Sequence, residues 1–148
     1  MNLHLPDGVT YACPGLNCPS DITVKSDPSV CGANVDFTLP TLVEPCLGLT
    51  VSCSATSGSF FPVGSTRVTC QATDEVGNVF AQCSFNVIVT DNEDPTIVSC
   101  PGDITVITTS ASGIIVNYPA ATASDNCSAT TITYSKPSGS RFGLGTTR

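Results

Sequence analysis

The chain has 148 residues, 41% of them hydrophobic and only 11% charged, with 12 acidic against 5 basic side chains and a net charge of −7. Five Lys and Arg cannot supply the clustered cations that a phosphate backbone demands, which excludes nucleic acid as a partner. No apolar run reaches the ~18 residues of a spanning helix, and the Thr-, Ser-, Val- and Gly-rich composition favours strands over helices.

In chain order, residues 1–17 read as a lead segment with a short strand at Val9–Cys13. Met1 to Pro6 shows no basic region followed by an apolar core, so no signal peptide is visible. Ile22 and Val24 begin the first strand of a domain, and Asp27-Pro28-Ser29 makes a turn. Val35, Phe37 and Leu39 alternate as a second strand that Pro40 ends. Pro45-Cys46-Leu47-Gly48 is a loop; Leu49, Val51, Cys53 and Ala55 alternate as a third strand. Ser57-Gly58 turns the chain into a short edge piece, Phe60 to Gly64, and Val68, Cys70 and Ala72 mark the penultimate strand. Asp74-Glu75-Val76-Gly77-Asn78 is a tight turn whose carboxylate can cap backbone N–H groups. From Val79 to Thr90 the apolar residues fall on one side of a period-two pattern, the mark of a long half-buried strand. Asp91-Asn92-Glu93-Asp94-Pro95 breaks it, because Pro cannot continue a ladder.

The chain then repeats itself. Cys18-Pro19-Ser20-Asp21-Ile22-Thr23-Val24 returns as Cys100-Pro101-Gly102-Asp103-Ile104-Thr105-Val106, an offset of 82, and Ser57 to Arg67 returns as Ser138 to Arg148, an offset of 81. A period near 80 is too long for a solenoid unit and fits a small β domain in tandem. The division this suggests is a lead segment 1–17, repeat one over 18–91 and repeat two over 92–148. In the sequence given, repeat two has no counterpart of Val68–Thr90, the last two strands of repeat one. Open strand edges are an aggregation hazard, so those strands are expected from a longer chain or from a neighbouring subunit.

Nine cysteines is a high count. None forms a Cys-x-x-Cys pair and the only His is His4, which disfavours zinc and points to disulfides in an oxidising compartment. An odd count leaves at least one thiol free, paired across chains or missing its partner; Cys13, Cys100 and Cys127 are the candidates.

Cys-Pro-x-Asp-Ile-x-Val, the Ser-Gly-Ser-x-Phe-x-x-Gly-x-Thr segment, the Ala-Thr-Asp-x-x-Gly-Asn turn and the Cys-Ser-Phe-x-Val-x-Val strand together resemble the HYR (hyalin repeat) domain across residues 18–148. The resemblance implies an all-β fold of tandem, disulfide-rich, immunoglobulin-like Greek-key sandwiches, a secreted or cell-surface location and a role in adhesion or structural spacing. It implies no catalytic residue and no cofactor. Repeat one departs from the pattern at Glu44-Pro45-Cys46, where repeat two has Asp125-Asn126-Cys127. The six cysteines of repeat one allow 15 connectivities. Cys53 and Cys70 lie on the inward faces of strands expected to be adjacent. Cys18 and Cys83 lie on strands that can run side by side in immunoglobulin-like folds, which leaves Cys31 and Cys46.

Three further sites are candidates. Asp91, Glu93 and Asp94 are hard oxygen ligands at a domain joint that can hold Ca²⁺; the plainer reading is a solvated linker. Asn126-Cys127-Ser128 is an N-glycosylation acceptor. Phe60 and Phe61 form a contact patch if exposed, or plug the sandwich end if not.

No nucleophile elbow, phosphate-binding loop or His-Glu-x-x-His is present, so the chain reads as a noncatalytic extracellular protein whose partners are other extracellular proteins or copies of itself. Two alternatives stand beside it. One is a glycan- or protein-binding accessory module of a larger secreted enzyme or receptor, which the absence of Trp weakens for glycan. The other is a filament subunit in which residues 5–13, loosely similar to 61–70, donate a strand head to tail.

Overall fold

The computed structural model describes residues 2–4, 10–12, 15–43 and 48–148. They form two compact units, residues 1–92 and 93–148, a boundary one residue beyond the sequence division.

Among the described residues the first unit contains ten strands. They are β1 (Asn2–His4), β2 (Thr10–Ala12), β3 (Leu16–Asn17), β4 (Ile22–Lys25), β5 (Gly32–Val35), β6 (Thr41–Leu42), β7 (Thr50–Cys53), β8 (Ser59–Pro62), β9 (Gly64–Thr73) and β10 (Val79–Thr90). β1 and β2 pair with each other. The main sheet runs β4-β10-β9-β7. Its centre is the antiparallel β9–β10 hairpin, registered from Thr73↔Val79 to Gly64↔Val89 with a bulge between Val79 and Ala81. β4, the earliest in sequence of this sheet's four strands, joins β10 in parallel, with Ile22 opposite Val87 and Val24 opposite Val89. β5 and β8 form a second antiparallel layer, and β3 pairs with β6.

The two layers close over one core. Val68 and Cys70 of β9 and Phe85, Val87 and Val89 of β10 meet Ala33 and Val35 of β5 and Phe61 of β8, with Phe37 between them. Period-two alternation on β9 and β10 puts every second side chain inward, and burial of that face outweighs the entropy of ordering the strands. Phe37 stacks edge-on to Phe85 at 5.1 Å and to Phe61 at 6.5 Å between ring centroids, a geometry suited to aromatic quadrupoles.

Several sequence expectations shift. Phe37 and Leu39 lie outside any strand, because β5 ends at Val35; Phe37 is buried and Leu39 is exposed. The penultimate strand begins at Gly64, and the residues from Ser59 to Pro62 are a paired strand, β8, of the second layer. Leu16 and Asn17, assigned above to the lead segment, are hydrogen-bonded to Thr41 and Leu42 and belong to the first unit's sheets. Residues 44–47 and Cys13 lie outside the described residues.

The second unit holds β11 (Thr96–Ser99), β12 (Ile114–Val116), β13 (Thr122–Ser124) and β14 (Ser140–Phe142). β12 pairs with β14 and β11 with β13. Ile114↔Phe142 repeats Ala33↔Phe61, and Val116↔Ser140 repeats Val35↔Ser59, both members of each pair displaced by 81 residues. Ile97↔Ala123 repeats Leu16↔Leu42 at the same offset. A register shift then follows between Ile97 and Ser99, so Ser99↔Thr122 answers Asn17↔Thr41 with offsets of 82 and 81. This one-residue bulge is why Cys100 falls 82, not 81, residues after Cys18.

Candidate interaction surface

In the first unit three cysteines form a row across the main sheet. Cys70 on β9 lies opposite Cys53 on β7 and opposite Cys83 on β10. The structure joins Cys53 to Cys70 and Cys18 to Cys83, with sequence separations of 17 and 65. The longer bridge ties the segment between β3 and β4 to β10, four residues before the sheet's parallel edge begins at Ile22. Cys31 is also disulfide-bonded, and Cys46 lies outside the described residues. Cys127, grouped above with the unmatched cysteines, is disulfide-bonded as well. A single cysteine in mid-repeat gives no sequence signal of its pairing. The free thiol among the described residues is the exposed Cys100.

A second clasp holds the same edge. Asp21 accepts the backbone N–H of Asn86 at 2.7 Å and its side-chain amide at 3.0 Å. These bonds, the side-chain one foremost, hold the Asp21 carboxyl below its ordinary value of 3.8. No short-range pattern pairs residues 65 apart, and sequence reasoning missed this contact. Its available signal was that Asp21 recurs as Asp103 inside the copied heptapeptide.

The Asp74 turn forms as its residues dictate. Asp74 Oδ1 accepts the N–H groups of Val76 and Asn78, Oδ2 accepts the Asn78 side-chain amide, and Gly77 adopts φ +89°. The Asn78 side-chain amide leads in holding the Asp74 carboxyl below its usual range. It aims at no other cluster and is a hairpin device.

Phe60 and Phe61 separate. Phe61 is 2% exposed in the core, whereas Phe60 is 53% exposed, its ring over Gly32 in the space a Cβ would need. Only Phe60 is available to a partner.

The corresponding corner of the second unit is built alike. The Tyr118 N–H donates to Ser138 Oγ at 2.8 Å, as Phe37 N–H does to Ser57 Oγ at 2.8 Å. Tyr118 meets Phe142 edge-on at 6.5 Å, the spacing of Phe37 and Phe61. Gly113, at φ +82°, leaves no space for a Cβ against the Phe142 carbonyl, where Gly32 meets that of Phe61. Two additions are specific to this unit: Lys136 Nζ lies 4.5 Å over the Phe142 ring, and the Tyr118 hydroxyl donates to the Lys136 carbonyl.

Residues 100–110 form no strand, although they carry the sequence that makes β4 in the first unit. Ile104, Val106 and Ile107 are exposed at 48%, 47% and 92%. β4 exists because β10 lies beside it, and no described residue of the second unit lies beside 104–107 as a strand.

Asn126 sits half-buried in a turn closed by Asp125, which accepts the N–H groups of Cys127 and Ser128 and the Ser128 hydroxyl. The Cys127 N–H leads in lowering the Asp125 carboxyl's pKa. Asp91 belongs to the first unit, Glu93 and Asp94 to the second. Among the described residues no three His, Cys, Asp or Glu side chains gather as a metal-ion set, and no helix is long and apolar enough to cross a membrane.

The HYR domain family model matches residues 9–89. The chain belongs to the HYR domain family. This HYR chain is all-β, disulfide-bonded and immunoglobulin-like. It is 33% identical over 136 residues to hyalin of Strongylocentrotus purpuratus, a match covering 89% of this chain and 11% of that protein. It is 36% identical over 114 residues to hyalin of Lytechinus variegatus, covering 76% and 22%. It is 34% identical over 90 residues to the Sushi, von Willebrand factor type A, EGF and pentraxin domain-containing protein 1 of Mus musculus, covering 59% and 2%. The HYR chain thus spans at most about a fifth of these relatives' length. The longest match necessarily runs into the second unit. No solved structure matches the chain.

Proposed function

We propose that this chain is a noncatalytic structural and adhesive portion of a secreted or cell-surface protein, in which the second unit is a further HYR copy in series with the first. The observation that carries this reading is the recurrence of one packing corner, β5–β8 as β12–β14, residue for residue at 81. Function then resides in repetition of a stiff module rather than in a single reactive site. The bridges Cys18–Cys83 and Cys53–Cys70 suit an oxidising compartment outside the cytosol. The matches to two hyalins over most of this chain favour the same class of protein.

The partners on this reading are extracellular proteins or further copies of the chain. Glycan recognition is the weaker alternative, because the rings of Tyr118, Tyr134 and Phe142 are tilted edge-on to one another instead of forming a flat platform. Strand donation by the N-terminal segment is weaker too, since Thr10–Ala12 is already hydrogen-bonded to Asn2–His4.

The test is a flow-detachment assay on surfaces coated with the oxidised chain, run beside a glycan array. Retention of cells or chain-coated beads, with a blank array, is the expected result. A specific array signal with no retention would move the chain to the accessory-module class, and turnover of any generic ester, peptide or glycoside would refute the noncatalytic reading.

A further inference from the structure

The two matched corners are alike inside and opposite in chemistry outside. In β5–β8 the side chains of Val35 and Phe61 enter the core, while Asn34 and Phe60, paired across the two strands, are exposed. Asp36 lies two residues past Asn34, exposed, its Oδ1 beside Gly58. In β12–β14 the positions 81 residues on are Ile115, Arg141 and Asn117. Arg141 Nη1 donates to the Gly113 carbonyl at 3.1 Å, which holds the guanidinium at Gly113 as the Phe60 ring is held at Gly32. Asn117 Oδ1 lies beside Gly139 as Asp36 Oδ1 lies beside Gly58. The inward and turn residues are the same in both corners, Val35 as Val116, Phe61 as Phe142 and Gly58 as Gly139, whereas all three outward positions differ.

The first face thus carries an aromatic ring, 53% exposed, with a carboxylate beside it; the second carries an aliphatic side chain, 57% exposed, with a guanidinium. In the first unit this face points away from the main sheet, so its exposure does not depend on what covers the inner side of the corner.

We propose that the β5–β8 face of one chain docks on the β12–β14 face of a second copy of the chain. The second copy's Arg141 sits over the Phe60 ring and beside Asp36, and its Ile115 covers the rest of the ring. A guanidinium is drawn both to the negative face of an aromatic ring and to a carboxylate, and one group here meets both. Charge selects this pairing: two β5–β8 faces would bring carboxylates together, and two β12–β14 faces would bring guanidinium groups together. The contact is therefore heterologous. Each chain that uses one face keeps the other, so association continues open-ended unless the rotation closes it. A patch this small binds weakly by itself and gains from repetition, which suits an adhesive array. The proposal deepens the adhesive reading above and rests on the second unit being a further copy.

The test is sedimentation velocity of the oxidised full chain, with Cys100 alkylated to prevent disulfide dimers, from micromolar to millimolar concentration at low and high salt. We expect sedimentation to quicken with concentration, and less so at high salt, where the ion pairs are screened. Arg141→Glu and Asp36→Lys should each weaken association at least about tenfold, because each sets like charges face to face. An equal mixture of those two variants should recover the affinity of the unaltered chain, since both kinds of contact between them again oppose unlike charges. Phe60→Ala should weaken association and leave its salt dependence in place. A chain that stays monomeric throughout, or association that Arg141→Glu leaves unchanged, ends the proposal. A mixture no tighter than its components ends it too, because the two charges would then lie in separate contacts. Amide exchange at β12 and β14 is read on the same samples. Protection there in a monomeric chain defeats only the docking, whereas free exchange there defeats the copy reading beneath it.

Discussion

Replacing Phe61 by Ala removes a ring that is 2% exposed and stacked edge-on to Phe37 at 6.5 Å, while replacing Phe60 by Ala removes its chain neighbour, 53% exposed. A Phe takes about 200 Å² out of water when fully buried, worth about 5 kcal/mol at ~25 cal/mol/Å². A compact unfolded chain already hides part of that area, which lowers the figure to ~3–4.5 kcal/mol, within the usual range of about 3–5 for a core Phe→Ala change. Phe60 buries about half as much, so the same reasoning gives ~1.5–2 kcal/mol for Phe60→Ala. The first loss approaches the whole stability of a small domain, about 5–15 kcal/mol. The assay is native-state amide exchange of peptides from β9 and β10 in the disulfide-intact chain, because those strands open only when the first unit's core opens. We expect Phe61→Ala to cost at least about twice as much as Phe60→Ala. Equal costs, or a larger one at Phe60, would refute the placement of the two rings and with it the assignment of β8 to the inner layer.

The remaining predictions concern the bridges, the acid dependence, the second unit and the joint. Non-reducing peptide maps should show Cys18–Cys83 and Cys53–Cys70 linked and Cys100 alkylated in native chain; alkylation of any of those four bridged cysteines in native protein would contradict the structure. Asp21 has a lowered pKa in the folded state, so its contribution is complete above the ordinary carboxyl value of 3.8 and is lost as pH falls below it. Asp21→Ala should accordingly flatten the fall in stability below about pH 4, and an unchanged slope would show that the Asn86 clasp does not form. Gly113→Ala forces a Cβ against the Phe142 carbonyl at φ +82°, and should cost about 2–4 kcal/mol of local stability read by exchange at β12 and β14. Gly102→Ala, with nothing within 4 Å of its Cβ position, should change little. Small-angle scattering with and without a calcium chelator should superimpose if Asp91, Glu93 and Asp94 are a solvated linker, and a chelator-dependent change in the radius of gyration would reveal an ion at the joint.

Local chemistry made much of the chain legible. β10 begins at Val79 and ends at Thr90 as expected, because a turn built on Asp74 and Gly77 precedes its period-two pattern and an acidic, Pro-terminated break follows it. Each of those signals acts within a few residues. The two copied segments, likewise, are visible as words in the sequence before any contact is known.

What only the tertiary structure decided involves partners far apart in the chain. Alternation could not tell Phe60 from Phe61, since the face of β8 that is buried depends on its pairing with β5 and on the sheet opposite. Phe37 continues an alternating pattern yet lies past the end of its strand, held in the core by two other rings. The Asp21–Asn86 clasp joins residues 65 positions apart and leaves no periodic trace. The heptapeptide at 18–24 and its copy at 100–106 make the same point most sharply: the first enters strand β4 and the second enters none. A strand is completed by its neighbour's N–H and C=O groups, and a sequence that supplies one side of a ladder cannot by itself say whether the other side is there.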